Sequence, residues 1–146
     1  SKGIKILLPI DSVIANKFPE TKDASDIEMK TLEGDIPDGW MGLDIGPKTV
    51  ALFSEAVKDA KTVVWNGPMG CFEFAPLSKG TYGVCEAVAT VKANGGTSII
   101  GGGDSVSAVK KSGKAAEMSH VSTGGGASLE FLEGKVLPGV AALTNK

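Results

Sequence analysis

Three short segments carry the residue types best suited to chemistry: Asn66-Gly67-Pro68-Met69-Gly70, Gly101-Gly102-Gly103-Asp104 and Thr123-Gly124-Gly125-Gly126. Each follows a short apolar run and precedes a stretch with helical character. Glycine lets a backbone approach a ligand closely and adopt positive φ. A helix that starts straight after the turn aims its free N–H groups and the positive end of its dipole at the same spot. Turns of this kind cradle phosphate. Asp104 admits two readings. A carboxylate beside a phosphate cradle repels its ligand unless a cation lies between them, and Mg²⁺ suits a site of one or two carboxylates plus phosphates. Alternatively, Asp104 is a helix N-cap, a common use of Asp at a helix start. The glycine triplets can equally serve tight helix–sheet packing, and Asn66 can be a turn residue held by its own side chain.

Other motifs are absent. There is no G-x-x-x-x-G-K-[ST] loop, and Gly124–Leu129 and Gly101–Val106 each begin like G-x-G-x-x-G but lack its last glycine. No G-x-S-x-G elbow occurs. His120 falls in an expected buried strand between Ser119 and Val121, where a structural hydrogen-bonding role is expected rather than base chemistry. Cys71 and Cys85 match neither a C-x-x-C motif nor a zinc ligand set, so two reduced thiols are expected.

The elements that must position these turns follow from periodicity. Ile4–Pro9 reads as a short buried strand. Asp11–Asn16 extends it or forms the next element. Phe18–Gly39 is polar and acidic, with a short strand expected around Glu28–Leu32. Trp40–Asp44 is short and apolar, and Pro47 can open a helix whose Val50, Phe53, Ala56 and Val57 fall at helical spacing over Thr49–Ala60. Strands are then expected at Thr62–Trp65, Thr97–Ile100 and Ser119–Thr123. Helices are expected at Ser78–Ala93, Asp104–Ser112 and Ala127–Glu133, and the tail beyond Pro138 is expected to be extended. Strands alternating with helices define an α/β fold: a parallel sheet with helices on both faces, a Rossmann-like three-layer sandwich. Right-handed crossovers place the strand-to-helix turns on one edge, where open α/β sheets bind ligands. The three glycine-rich turns should therefore converge.

Bulk composition agrees. The chain has 146 residues, 42% hydrophobic and 22% charged, which suits one globular domain. A net charge of −2 provides no field to draw nucleic acid or an anionic membrane. No apolar run approaches the ~20 residues of a transmembrane helix. Ser1–Ile10 lacks the apolar stretch of a signal peptide, so a cytoplasmic setting is expected. All 15 basic residues are lysines, so any phosphoryl transfer here would lack the usual arginine clamp.

Taken in order, Gly39–Pro47, Val64–Gly70, Ile99–Asp104, Ser119–Ser128 and Leu132–Val140 resemble the late signature segments of phosphoglycerate kinases. The resemblance runs over nearly the whole chain and implies that residues 1–146 are a partial C-terminal nucleotide-binding domain, an incomplete lobe of that fold. It implies a glycolytic enzyme that moves a phosphoryl group between 1,3-bisphosphoglycerate and MgADP, or back from MgATP to 3-phosphoglycerate, with Mg²⁺ accompanying the ATP or ADP. By that resemblance Asp104 would hold Mg²⁺, and Gly102, Gly103 and Ser105 would lie near the phosphates. Asn66 would reach the phosphates too, and Glu73 would accept from the ribose hydroxyls. Gly42, Leu43, Pro68 and Cys71 would wall the adenine and ribose. Gly124, Gly125 and Gly126 would offer N–H groups to the transferred phosphoryl group. Position 71 is commonly valine and position 105 commonly threonine in the family. Cysteine, a small hydrophobe, can keep the packing role.

The resemblance also implies a monomeric full-length enzyme whose N-terminal lobe binds 3-phosphoglycerate. That lobe supplies an arginine, and an upstream segment supplies lysines, that this chain does not contain. On that basis the chain alone is expected to be inactive, with Mg-nucleotide binding without turnover, or a purely structural role, as alternatives.

Overall fold

The computed structural model describes residues 3–143. Its first third builds an antiparallel sheet that the sequence pattern did not disclose. Strand β1 (Asp11–Ala15) lies between β2 (Met29–Glu33) and β3 (Met41–Ile45), pairing antiparallel with both. Ile14 and Ala15 are fully buried, and the β1–β3 register shifts between Val13 and Ile14. Between β1 and β2 the acidic loop is closed by Asp26, which accepts from the Thr21 hydroxyl at 2.7 Å and the Glu20 N–H at 3.1 Å and pairs with Lys17.

Helix α1 (Pro47–Lys58) starts as expected at Pro47, with Gly46 as N-cap and no side-chain cap of its own. Asp11 does that work from β1. Its carboxylate accepts from the Lys48 N–H at 2.9 Å, the Thr49 N–H at 2.7 Å and the Thr49 hydroxyl at 2.6 Å. A carboxylate at a helix N-terminus satisfies orphan donors and meets the positive dipole end. Burial works against its charge, but the hydrogen bonds from Thr49 and the Lys48 N–H outweigh it and hold the carboxyl below the ordinary range.

The rest is the expected alternation: β4 (Thr62–Asn66), α2 (Lys79–Ala93), β5 (Thr97–Gly101), α3 (Gly103–Lys111), β6 (His120–Ser122) and α4 (Gly125–Leu132). The strands form a parallel sheet ordered β4-β5-β6, with Trp65 beside Ile100 and Ile100 beside Val121. Since alternate residues of a strand face opposite ways, Val63, Trp65 and Ile100 point into one core. There they meet Val84 and Val88 of α2, Val106 and Val109 of α3, and Ile45 of β3, with α1 packed alongside through Val50, Phe53 and Val57. Helix α2 ends at Asn94-Gly95, where Gly95 takes φ +78°. On the opposite face Val64, Ile99 and His120 border a cleft of about 660 Å³ whose far side is Phe131, Leu132, Leu137 and Val140 of the α4 region.

Three expectations are corrected. Ile4–Pro9 is not a buried strand: it pairs with no strand among the described residues, and Ile4, Ile6 and Leu8 are exposed. Alternation can mark a segment fit to pair, but cannot supply its partner. His120 is exposed rather than buried, because β6 is an edge strand and its face opens on the cleft. The tail is not wholly extended: Pro138–Ala141 forms a short helix, α5, begun by Pro at its first position. No helix among the described residues is long and apolar enough to cross a membrane.

Candidate functional site

The three glycine-rich turns converge. A Cβ on Gly125 would lie 2.8 Å from the Cα of Gly102 and 3.2 Å from its nitrogen, so the turns after β5 and β6 touch backbone to backbone. Asn66, at the end of β4, spans both: its Nδ2 donates to the Gly125 carbonyl at 3.3 Å, and its Oδ1 would be 3.1 Å from a Cβ on Gly102. Gly102 has φ +91°, a left-handed conformation natural to glycine.

Two helices begin at this junction. Gly102 is the N-cap of α3 and Gly124 that of α4, and neither has a side-chain cap. The first backbone bond of α3 runs from the Val106 N–H to the Gly102 carbonyl, so the N–H groups of Gly103, Asp104 and Ser105 remain open donors among the described residues. In α4 the Gly124 N–H is taken by the Ser122 hydroxyl at 3.2 Å and the Gly125 N–H by the Thr123 carbonyl at 3.0 Å. Of the glycine triplet, therefore, Gly126 keeps its N–H open, joined by Ala127. Open N–H groups at a helix N-terminus are suited to receiving an anion.

Asp104 lies in the first turn of α3 and is exposed. It is not the N-cap, so the capping reading of this residue is not met. Its carboxylate has no hydrogen bond or ion pair among the described residues. Ser105 is different. Its hydroxyl is buried and accepts the Gly67 N–H at 2.7 Å, so it braces the β4 turn against α3 from within. Gly67 there takes φ +103°.

The segment after β4 reaches the antiparallel sheet. The Cys71 N–H donates to the Leu43 carbonyl at 2.8 Å. Leu43 is buried with Ala15 and Leu77 in a second, smaller core flanked by Cys71 and Phe74. Gly42 and Glu73 are exposed, and Pro68 and Cys71 half-buried. The Cys71 thiol is pushed above its ordinary value, first by burial and then by the negative charges of Glu73 and Asp44. The Cys71–Leu43 bond thus ties the segment that follows the glycine junction to β3, and Leu43 itself is buried in the core.

Sequence reasoning missed the groups that hold this segment. Thr81, fully buried in the first turn of α2, accepts the N–H groups of Met69 at 3.0 Å and Gly70 at 3.3 Å. Asp44, buried on β3, accepts the Gly80 N–H at 2.7 Å and its own neighbour's Ile45 N–H at 2.9 Å. A charged residue between Leu43 and Ile45 in an apolar strand was the available signal for Asp44.

In open α/β sheets the edge that the glycine turns occupy, outside the carboxyl ends of the strands, is where ligands bind. The phosphoglycerate kinase family model matches residues 1–135. The phosphoglycerate kinase of Synechococcus elongatus is 59% identical over 143 residues, covering 97% of this chain and 34% of the relative, and that of Clostridium novyi is 58% identical over 146 residues, covering 100% and 35%. The solved phosphoglycerate kinase of Coxiella burnetii superposes with a TM-score of 0.83 at 37% identity, covering 96% of this chain and 34% of that one. The chain belongs to the phosphoglycerate kinase family, and it spans about a third of the length of the curated relatives it matches.

Proposed function

We propose that this chain forms the nucleotide-binding part of a phosphoglycerate kinase and binds MgADP or MgATP across the three strand-end turns. The observation that carries the reading is the junction of Asn66, Gly102 and Gly125, where two uncapped helix N-termini begin in contact. In this reading the N–H groups of Gly103, Asp104 and Ser105 meet nucleotide phosphates, and Asn66 adds a donor beside them. Gly42, Leu43, Pro68 and Cys71 wall the base and ribose, and Glu73 accepts from the ribose hydroxyls. Gly124 shapes the turn, Gly125 seals it against Gly102, and Gly126 presents its N–H to the phosphoryl group in transit.

The donor set fits a nucleotide-borne Mg²⁺. No cluster of three or more potential metal-ligating side chains exists among the described residues. Asp104 stands alone, exposed and unpaired beside open N–H groups, and one carboxylate plus phosphates is a usual Mg²⁺ environment. Bound there, Mg²⁺ would neutralise phosphate charge during transfer. The chain's own contribution is positioning and electrostatic preorganisation, which carry most of phosphoryl-transfer catalysis.

The reaction assigned to the longer enzyme is glycolytic transfer between 1,3-bisphosphoglycerate and MgADP, or between MgATP and 3-phosphoglycerate. The triose would be held by a lobe beyond these residues, in a monomeric cytoplasmic protein. A second reading, nucleotide binding without turnover, is favoured for the chain by itself because it contains no arginine. Calorimetric titration of MgADP separates these from a purely structural role. The expected result is micromolar-to-millimolar binding that weakens in Asp104→Ala and without Mg²⁺. No binding by a folded chain would overturn the nucleotide reading.

A further inference from the structure

Asp44 lies outside the glycine junction, yet two segments, the first turn of α2 and the Met69–Cys71 backbone, close on its carboxylate. It accepts the Gly80 N–H in the first turn of α2 at 2.7 Å. A Cβ on Gly80 would sit 2.2 Å from its Oδ1, and one on Gly70 would sit 2.4 Å from the same atom, so both glycines exist to admit it. The same Gly70 Cβ would be 2.5 Å from the Leu43 carbonyl, which holds the Cys71 N–H. One residue beyond Gly80, Thr81 holds the Met69 and Gly70 N–H groups. A chain of contacts therefore runs from Asp44 through Gly80 and Thr81 to the Met69–Cys71 backbone.

We propose that Asp44 is a positioning residue for the nucleotide site: its ionised carboxylate fixes the first turn of α2, and through Thr81 that turn fixes the Pro68–Cys71 wall. This rests on the nucleotide reading above. An ionised acceptor makes a hydrogen bond roughly twice as strong as a neutral one, so protonating Asp44 loosens the anchor without removing a side chain. The titratable groups on the elements packed around it are Cys71 and Glu73 on the wall segment, Lys79 at the start of α2, Asp11 on β1 and Lys48 on α1. Lys48 is engaged with Glu33, and no ion pair reaches Asp44 among the described residues. Unpaired and buried, its carboxyl is pushed up to about 6, against the hydrogen bonds from Gly80 and Ile45. The anchor is thus mostly charged at pH 8 and mostly neutral at pH 5.

If the unanchored wall binds about tenfold more weakly than the anchored one, wild-type affinity falls about fivefold between pH 8 and pH 5. Nucleotide phosphate itself titrates near pH 6, so the ratio of wild type to Asp44→Asn is the quantity to read. Two measurements on the whole chain decide the matter. In nucleotide-free protein, the amide NMR signals of Gly80, Met69 and Gly70 should titrate together near pH 6, and Asp44→Asn should abolish the transition at all three. MgADP should bind about tenfold more tightly to wild type than to Asp44→Asn at pH 8, with the ratio falling towards one at pH 5. A Gly80 transition with flat Met69 and Gly70 signals would overturn the proposal, and so would a ratio that does not change with pH. Joint titration in a chain that binds no MgADP at any pH would support the anchor while refuting the nucleotide reading on which its role depends.

Discussion

Gly125 and Gly126 are neighbours in one helix, yet alanine at each should act in opposite directions. At Gly126 a Cβ has nothing within 4 Å. Alanine there gains the backbone-entropy advantage over glycine in a helix, up to about 1 kcal/mol. At Gly125 the Cβ would lie 2.8 Å from the Gly102 Cα, whereas ordinary contact begins at 3.4 Å. The two turns must part by about half an ångström, and neither obstacle is a flexible side-chain end. Overpacking of this kind costs about 1–3 kcal/mol, so after the helix gain Gly125→Ala should lose about 1–2 kcal/mol. For a domain of this size about 4 °C accompanies each kcal/mol. Thermal unfolding followed by circular dichroism should place Gly125→Ala about 4–8 °C below wild type and Gly126→Ala at or a few degrees above it. Equal midpoints for the two variants would refute the claim that the β5 and β6 turns are in backbone contact.

Ser105→Ala should leave the Gly67 N–H without its acceptor, costing about 1–3 kcal/mol in urea unfolding, whereas Ser105→Thr should lose less if the threonine hydroxyl reaches the same N–H. Asp11→Ala should destabilise by at least the ~1 kcal/mol typical of a lost N-cap, and its pH dependence has a definite sign. Because the folded carboxyl is held below its ordinary value, its stabilisation is present above about pH 4 and is lost on acidification, so wild type and variant should converge in acid. Asp44 has the opposite sign: with its folded carboxyl raised to about 6, its contribution is full below 3.8 and is lost as pH rises through 6. Asp44→Asn should therefore gain stability relative to wild type between pH 4 and 7 in the same melts, even as it weakens nucleotide binding. In a coupled ATP-production assay, the isolated chain should show no turnover. If the arginine that the chain does not contain is worth even about three orders of magnitude, its lack removes about 4 kcal/mol of transition-state stabilisation.

The parallel half was legible because its signals are local. Val84, Val88 and Val91 fall on one helical face, β-branched runs mark β4 and β5, and glycines punctuate each strand end. Convergence of the turns followed from chain topology rather than from any single motif. Of the antiparallel sheet, the short strand around Glu28–Leu32 was legible and the pairing was not, because a long polar loop separates β1 from β2, and β1 pairs with β3 across β2 in the sequence. Ile4–Pro9 shows the converse: a strand pattern without a pairing partner leaves Ile4, Ile6 and Leu8 exposed. At the candidate site, residue types singled out Asn66 and Asp104. They could not reveal that Ser105 turns inward to Gly67, that Asp104 is not a cap, or that Asp44 and Thr81 accept from Gly80 and Met69, since each depends on contacts across more than ten residues of sequence or on helix phase.

The central claim is that one nucleotide spans the β4, β5 and β6 turns and the β3 edge. Backbone amide shifts of the labelled chain during MgADP titration test it residue by residue. The account predicts a single saturable event, with the largest changes at Gly42–Leu43, Asn66–Glu73, Gly102–Ser105 and Gly126, and loss of the Gly102–Ser105 response in Asp104→Ala. Saturable changes confined to residues away from these turns, or none at millimolar MgADP in a folded chain, would contradict it.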